Sequence, residues 1–499
     1  MRKDFDSQLR LDCLSIGQLQ LNYRCRDEMI PLLKGLQHLY LTPELYQQAM
    51  ALVQADVNAE TSSRRGRPGM HYWRILVLSV LRYACQFDYD KLQDQVENHR
   101  NLRRIMGIGE WENDPLDART IESNVCKLLP ETLAKLSDLV VGEGHRRRPE
   151  AIKKVRGDTF VAQTNIHYPT DVNLVWDGVR KVLDLAPRLA KLIGAVGWRQ
   201  AASRCRRFRA MMRSLSRAKS DANDVSKKYQ PYLKEADAIW RKALTLIQLV
   251  NVYTGDRGLP REIAGLYAKL IKYMSLCAQV LERAERRLLQ GEKIPNASKI
   301  LSIFETHTEL INRGKKPHPI EFGHRVLVVE DDLGFIPHHE ILGKGVLDQD
   351  IIVPAMRQLQ ERFGHRIESA SFDRGFHTPQ NQIDLREILA HPCVPVKGCK
   401  QAEVQNREAT VEFRKARQKH PGIESAIGAL EDSNGLRRCY DKGYEGYERA
   451  VGLAVLARNL HALGKLLIVE EQPKSRAAFS KRRSLKRRKS RKSQKINAA

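Results

Sequence analysis

Hydrophobic residues recur along this chain with two periods, and the change from one to the other marks its organisation. Leu32, Leu33, Leu36, Leu39 and Tyr40 form a helical stripe that Pro43 interrupts, within a first sixty residues that read as helical. HYWRILVLSVLRYAC, from His71, is a strongly apolar helix. A break at Gln86-Phe87-Asp88 precedes YDKLQDQVENHRNLRRIM, and a further helical pair follows Pro115. The period shortens to two in VRGDTFVAQ, the first strand. From Trp176 to about Leu310 the pattern is again helical. Strand character returns in HRVLVVEDDLGFI, where Val326 to Val329 make a buried strand and Gly334 closes a hairpin.

The remainder alternates. A helix from Asp350 to Phe363 leads to IESASFDRGF, in which Ile367, Ser369, Ser371 and Asp373 share one side of a strand and Gly375 permits a sharp turn. CVPVKG is a short strand ending at Lys397. Pro421 then starts a helix with Ile423, Ile427 and Leu430 on its buried face, ended by Asn434-Gly435, and residues 444–467 make a long apolar helix. Strands and helices in this order define an α/β class. The first acidic strand is 215 residues from the second, too far for a short connection, so a helical domain is inserted between them. The predicted organisation is a helical N-terminal region over 1–150, a core over 151–176 and 311–467, a helical insertion over 177–310 and a tail over 468–499.

Charge narrows the partners. Lys and Arg number 85 against 59 Asp and Glu, a net of +26, which points to a polyanion, with nucleic acid the natural candidate. After Glu471 there are 12 Lys and Arg and no acid, and the chain stays basic without them. That tail is too poor in apolar residues to fold and reads as a disordered arm on DNA or a solubilising terminus. Nine scattered cysteines form no CxxC pair or zinc array, the N-terminus has no signal-peptide pattern, and no run nears the roughly 18 apolar residues of a membrane span. A reducing cytoplasm fits this pattern. Cations that suit a phosphate backbone are Arg64, Arg65 and Arg67 in SSRRGRPGM, Arg103 and Arg104 after the first helices, Arg206, Arg207 and Arg209 in the insertion, and Lys397. Each also fits a solvated surface.

The candidate chemistry is acidic. Asp373 stands at the end of a strand, where α/β sheets bind ligands, Asp158 heads another strand, and Glu424 lies near the start of a helix. Three carboxylates from two strands and one helix suit two divalent cations, Mg²⁺ or Mn²⁺, that keep water for a phosphate substrate. The positive end of the helix dipole favours ionised Glu424 over Glu431, seven residues on. Asp171 and Asp177 are rival ligands, although a Pro-Thr-Asp turn usually bonds its own backbone. Asp331-Asp332 with His338-His339 is another conceivable site, but neighbouring strand side chains point to opposite faces.

GDTFVAQTNIHYPTDVNLVWDG, PIEFGHRVLVVEDDLGFI, SFDRGFHTPQN and HPGIESAIGALEDSNGLRRCYDKGYEGYERAVGLAVLARNLHALGK together resemble DDE-type insertion-sequence transposases, closest to the ISNCY group, over residues 60 to 467. The resemblance implies a ribonuclease-H-like catalytic core with a mixed sheet, whose acidic residues fall on Asp158, Asp373 and Glu424. It also implies an N-terminal helix-turn-helix-like region that reads terminal inverted repeats, although a helical bundle packed on the core fits those residues equally. Double-stranded DNA, as element ends and target, would be the partner, with a homo-oligomer on DNA and a bacterial, nucleoid-associated location. Related families carry a Y-x2-R-x3-E-x6-K frame around the glutamate. Here Arg417, His420 and Glu431 occupy it, so those supporting roles do not carry over. Two other readings of the same fold are a decayed derivative that only binds DNA and a metal-dependent nuclease.

Overall fold

A computed structural model describes residues 13–59, 69–112, 116–217, 225–254, 258–314, 319–396, 398 and 401–496, the side chains of 225–227, 297 and 473–496 excepted. The chain divides into two compact units, one made of residues 1–163 and 324–499 and the other of Thr164–Gly323. The class is mixed α/β. The first unit opens with helices α1 (Met29–Leu41), α2 (Pro43–Asn58), α3 (Tyr72–Ala84), α4 (Tyr89–Asn98), α5 (Arg100–Ile105), α6 (Ala118–Val125) and α7 (Pro130–Arg147), and then β1 (Lys154–Gln163). The second unit contains α8 (Asp171–Leu192), α9 (Ala201–Arg217), α10 (Val225–Thr254), α11 (Arg261–Leu288) and β2 (Glu309–Asn312). In this unit β2 pairs antiparallel with the first four residues of β3 (Ile320–Asp331). The helical interval predicted over 177–310 falls inside this unit, which begins and ends in extended segments about a dozen residues beyond it on either side.

The rest of β3 belongs to the first unit, followed by β4 (His338–Ile341), α12 (Asp348–Arg362), β5 (Ser369–Ser371), α13 (Pro379–Ile388), β6 (His391–Cys393), α14 (Ala402–Glu408), α15 (Val411–Lys419), α16 (Gly422–Asp432) and α17 (Gly443–Ile496). Its sheet runs β4-β3-β1-β5-β6. β3 and β4 are antiparallel, whereas β1–β5 and β5–β6 are parallel. Parallel strands need crossovers, and α12 and α13 supply the layer they pack beneath. Val155, Leu327, Val329, Ala370 and Phe372 turn to that layer. Phe160, Ala162, Val326 and Val328 turn to the other face, into a core shared with α1 to α7, α16 and α17.

The N-terminal helices are thus part of the first unit's core. α3 is apolar nearly all round, as a helix buried on every side must be, and Trp73 Nε1 donates to Ile105 O at 2.7 Å. Segment Gly443–Gln472 of α17 is long and apolar enough to cross a membrane, but 67% of that window is buried inside the fold, as befits a core helix. The basic segment expected as a disordered arm continues α17 to Ile496. After Pro473 it has no Gly or Pro, and Lys, Arg and Ala are good helix formers.

α1 and α17 approach closely because glycines meet backbone at two points. A Cβ on Gly35 would lie 2.6 Å from Leu460 O, and one on Gly464 would overlap Pro31 O. Neither neighbour is a side-chain tip that can swing away. Gly464→Ala is therefore expected to cost about 1–3 kcal/mol through forced separation of the two helices. Gly428→Ala, in α16 with open space around it, should stabilise by about 0.5–1 kcal/mol. Chemical denaturation of both variants checks the opposite signs.

Candidate active site

Lys154, Val155 and Arg156 of β1 pair with Ser369, Ala370 and Ser371 of β5; extended two residues past the end of β5, the same offset would set Asp158 opposite Asp373. Neighbouring strands are roughly 4.8 Å apart, and residues in register in a parallel pair point to the same face. That face also carries Arg156 and Ser371. Gly157 points the other way, where a Cβ would strike the Phe372 ring, so β1 and β5 close tightly at this step. Asp158 is half-buried, with the Thr159 N–H donating to its Oδ1 at 2.7 Å.

The junction of α15 and α16 crosses the same face. His420 and Pro421 keep helical backbone angles, so the chain continues almost as one helix from Lys419 into α16. His420 is buried, with Nε2 donating to Asp373 Oδ1 at 3.1 Å and Nδ1 3.3 Å from Ser371 Oγ. Arg417 Nη1 lies 3.4 Å from the same carboxylate oxygen. The His420 hydrogen bond, with help from Arg417 and against the effect of partial burial, pulls the Asp373 carboxyl down to about 2. Glu424 follows His420 by four residues, one turn on, where side chains are neighbours about 5–6 Å apart. It is exposed in the first turn of α16, while Ile423, Ala426 and Leu430 bury the opposite side and seat the helix against β1.

Arg156 fixes this junction. Its Nη2 and Nε lie 2.6 and 2.8 Å from Glu330 Oε2 on β3, and its Nη1 donates to Lys419 O at 3.1 Å. Gly422 sits so close to the guanidinium that any Cβ would collide with it. Glu330 is buried, and Arg458 of α17 approaches its other oxygen at 3.6 Å. Burial raises the Glu330 carboxyl above the ordinary range, against the pull of both arginines. A cavity of about 370 Å³ opens on this face between the strands and α15, lined by Lys154, Arg156, Glu330, Ser371, Lys415 and Lys419 among others.

Among the described residues, no three His, Cys, Asp or Glu side chains are already gathered to hold a metal ion. The donor chemistry nevertheless suits a hard cation. Asp158 and Asp373 are carboxylates that one sheet face carries, and Arg417 and a hydrogen bond from His420 hold Asp373. The rival acids are engaged elsewhere. Asp171 pairs with Arg287, Asp177 with His167 and Arg180, and Asp331 with buried His145 while its Oδ1 accepts from two turn N–H groups. His339 is half-buried, and desolvation pushes its imidazole down to about 4. Glu431 is the penultimate residue of α16, and Asp348, on the sheet's opposite face, accepts from Thr159 Oγ1 and Arg325.

The predicted phosphate-binding cations divide. Arg103 donates to the carbonyls of Val96, Gly109 and Glu112, capping chain ends that have no helical partners, so it ties a loop and is not a free cation. Arg104 pairs with Glu110, and Arg207 pairs with Glu235. Arg206 and Arg209 are exposed. Arg64, Arg65, Arg67 and Lys397 lie outside the described residues. Sequence reading missed Arg156, although its position two before Asp158 puts both on one strand face. Its partner Glu330 has no signal in the sequence. Nor do the roles of Arg417 and His420, which depend on where α15 lands. The chain matches no family model, no curated protein and no solved structure.

Removing one partner of the Arg156–Glu330 pair leaves a buried charge poorly compensated. Arg156→Met is expected to destabilise the first unit by about 3–5 kcal/mol, and Arg156→Met with Glu330→Met to recover most of that loss. Denaturant titration of the two variants and the parent measures it; equal destabilisation by both would mean that packing, not charge, is what Arg156 supplies.

Proposed function

We propose that this chain is a DNA transposase of the DDE type, with a ribonuclease-H-like core in which Asp158, Asp373 and Glu424 are the catalytic carboxylates. The observation that carries the reading is the parallel β1–β5 register, whose offset, extended past β5, would set Asp158 opposite Asp373. The sheet order, with an antiparallel β3–β4 pair on one side of β1 and two parallel strands on the other, supports it, as does α16 on the carboxylate face. The net charge of +26 supports a nucleic-acid substrate.

Asp158, Asp373 and Glu424 would hold two Mg²⁺ or Mn²⁺ ions, which when bound neutralise phosphate charge and activate the attacking hydroxyl. The chain's own part is positioning. Asp373 is oriented by His420 and Arg417. Arg156 anchors the end of α15 and the start of α16, from whose first turn Glu424 would have to reach the same ions. Catalysis of phosphoryl transfer rests mostly on such positioning and charge stabilisation. The reaction is hydrolysis of a phosphodiester at each element end, followed by attack of the freed 3′-hydroxyl on a target phosphodiester, with the target 3′-oxygen leaving. Duplex DNA is the substrate, a homo-oligomer on DNA the working form, and the bacterial cytoplasm the expected setting.

A DNA-binding derivative without chemistry is the reading favoured by one observation: Asp373 is already matched by two basic side chains, one of them buried. Incubation with flanking element ends, Mg²⁺ and a supercoiled plasmid distinguishes joined products from nicks alone and from shifted bands without cleavage. Glu424→Gln is expected to lower Mg²⁺-dependent cleavage by at least about 10²-fold with DNA binding intact. Glu431→Gln should retain cleavage, and the reverse result would reject the assignment of Glu424.

A further inference from the structure

In the second unit, α9 sorts its side chains into three strips. Ala201 and Phe208 are buried, and Cys205, Met212 and Leu215 pack against the same core, at the i, i+4, i+7 spacing of a seated helix. Phe208 stacks on Tyr232 at 4.4 Å between ring centres, and Tyr232 in turn donates its hydroxyl to Val172 O, so the helix is rigidly held. On one flank Arg204 and Arg207 both turn to Glu235 of α10, at 3.8 and 2.7 Å. The third strip faces solvent.

That outer strip is Arg206, Arg209, Arg213 and Arg217, all exposed. At 100° per residue they fall within roughly 80° of arc, over about 16 Å of axis. None of the four has an acidic partner among the described residues, and no Asp or Glu occurs between Arg199 and Arg217, which hold seven arginines. Like charges at this spacing destabilise an isolated helix by about 0.2–0.5 kcal/mol per pair, so the strip works against α9 until an anion neutralises it. Guanidinium forks match phosphate oxygens in pairs.

We infer that this arginine strip is a docking surface for the phosphate backbone of duplex nucleic acid, separate from the carboxylate site. A 16 Å row covers about five phosphates at the roughly 3.4 Å per-strand spacing of the duplex. Between the arginines stand Ala210 and Ser214, small and exposed, which let a backbone come close. The strip has no aromatic side chain on which an unpaired base could stack, which disfavours single strands. The helix's apolar face is already committed to the core, which leaves nothing to insert into a lipid surface.

The inference shares with the proposed activity only the duplex substrate, so binding tests it and cleavage does not. The full chain is titrated with a duplex of unrelated sequence over a range of salt concentrations. A variant with Gln at 206, 209, 213 and 217 should bind more weakly, with the slope of log K against log salt shallower by about 3 to 4, since each lost phosphate contact removes about 0.9. The same four positions changed to Lys should keep the slope, as should Arg204→Gln with Arg207→Gln. An unchanged slope in the Gln variant, with its thermal transition intact, overturns the surface; a changed oligomeric state with an unchanged slope does the same and marks the strip as a protein contact. Should the quadruple variant not fold, Arg209→Gln and Arg213→Gln singly must each lower the slope by about 0.9, and no change in either overturns the inference. Asp158→Asn should leave the slope untouched, so loss of cleavage and loss of this surface read out separately.

Discussion

Arg156 is the point on which the carboxylate face depends. One guanidinium joins β1 to β3 through Glu330, holds the last carbonyl of α15, and sets the distance at which Gly422 can pass. The pair is largely buried, where desolvation of two charges offsets much of their attraction, so its main contribution is geometric. A buried pair with fixed partners admits one arrangement of the three elements. Arg458, reaching Glu330 from α17, extends the same constraint to the helix at the centre of the core.

From that anchor the electrostatics of the site follow. Carboxylates gathered on one face repel, and such an arrangement needs positive charge or hydrogen-bond donors beside it. Asp373 has Arg417 and a hydrogen bond from His420. Glu424 is left exposed on the first turn of α16.

The two units divide the basic charge differently. In the first, the arginines of the N-terminal helices are spent on structure: Arg82 pairs with Asp441, and Arg103 caps a turn. In the second, α9 keeps its aromatic anchor in the core and its outer arginines in solvent. Charge density alone does not distinguish a structural arginine from one available to a ligand; the nearest acid or carbonyl does.

Much of this was legible in the sequence because it is local. Apolar spacing gave α3, α16 and the core half of α17; Pro421 and Asn434-Gly435 bounded α16; alternation marked the strands that carry Asp158 and Asp373. The long helical interval between those strands revealed an inserted unit. What the sequence could not determine was anything that pairs residues far apart in the chain. The boundaries of the insertion moved outward because short extended segments pair with each other and leave no helical period to read. The N-terminal helices proved to be core and not an appended domain, since an apolar stripe shows that a helix is buried but not against what. Arg156 and Glu330 lie 174 residues apart and Asp373 and His420 47 apart, and their contacts exist only once β1, β3 and β5 are in register and α15 has crossed them. Side-chain chemistry is written residue by residue, but register and helix placement come from burial summed over the whole chain, and only the tertiary structure decides them.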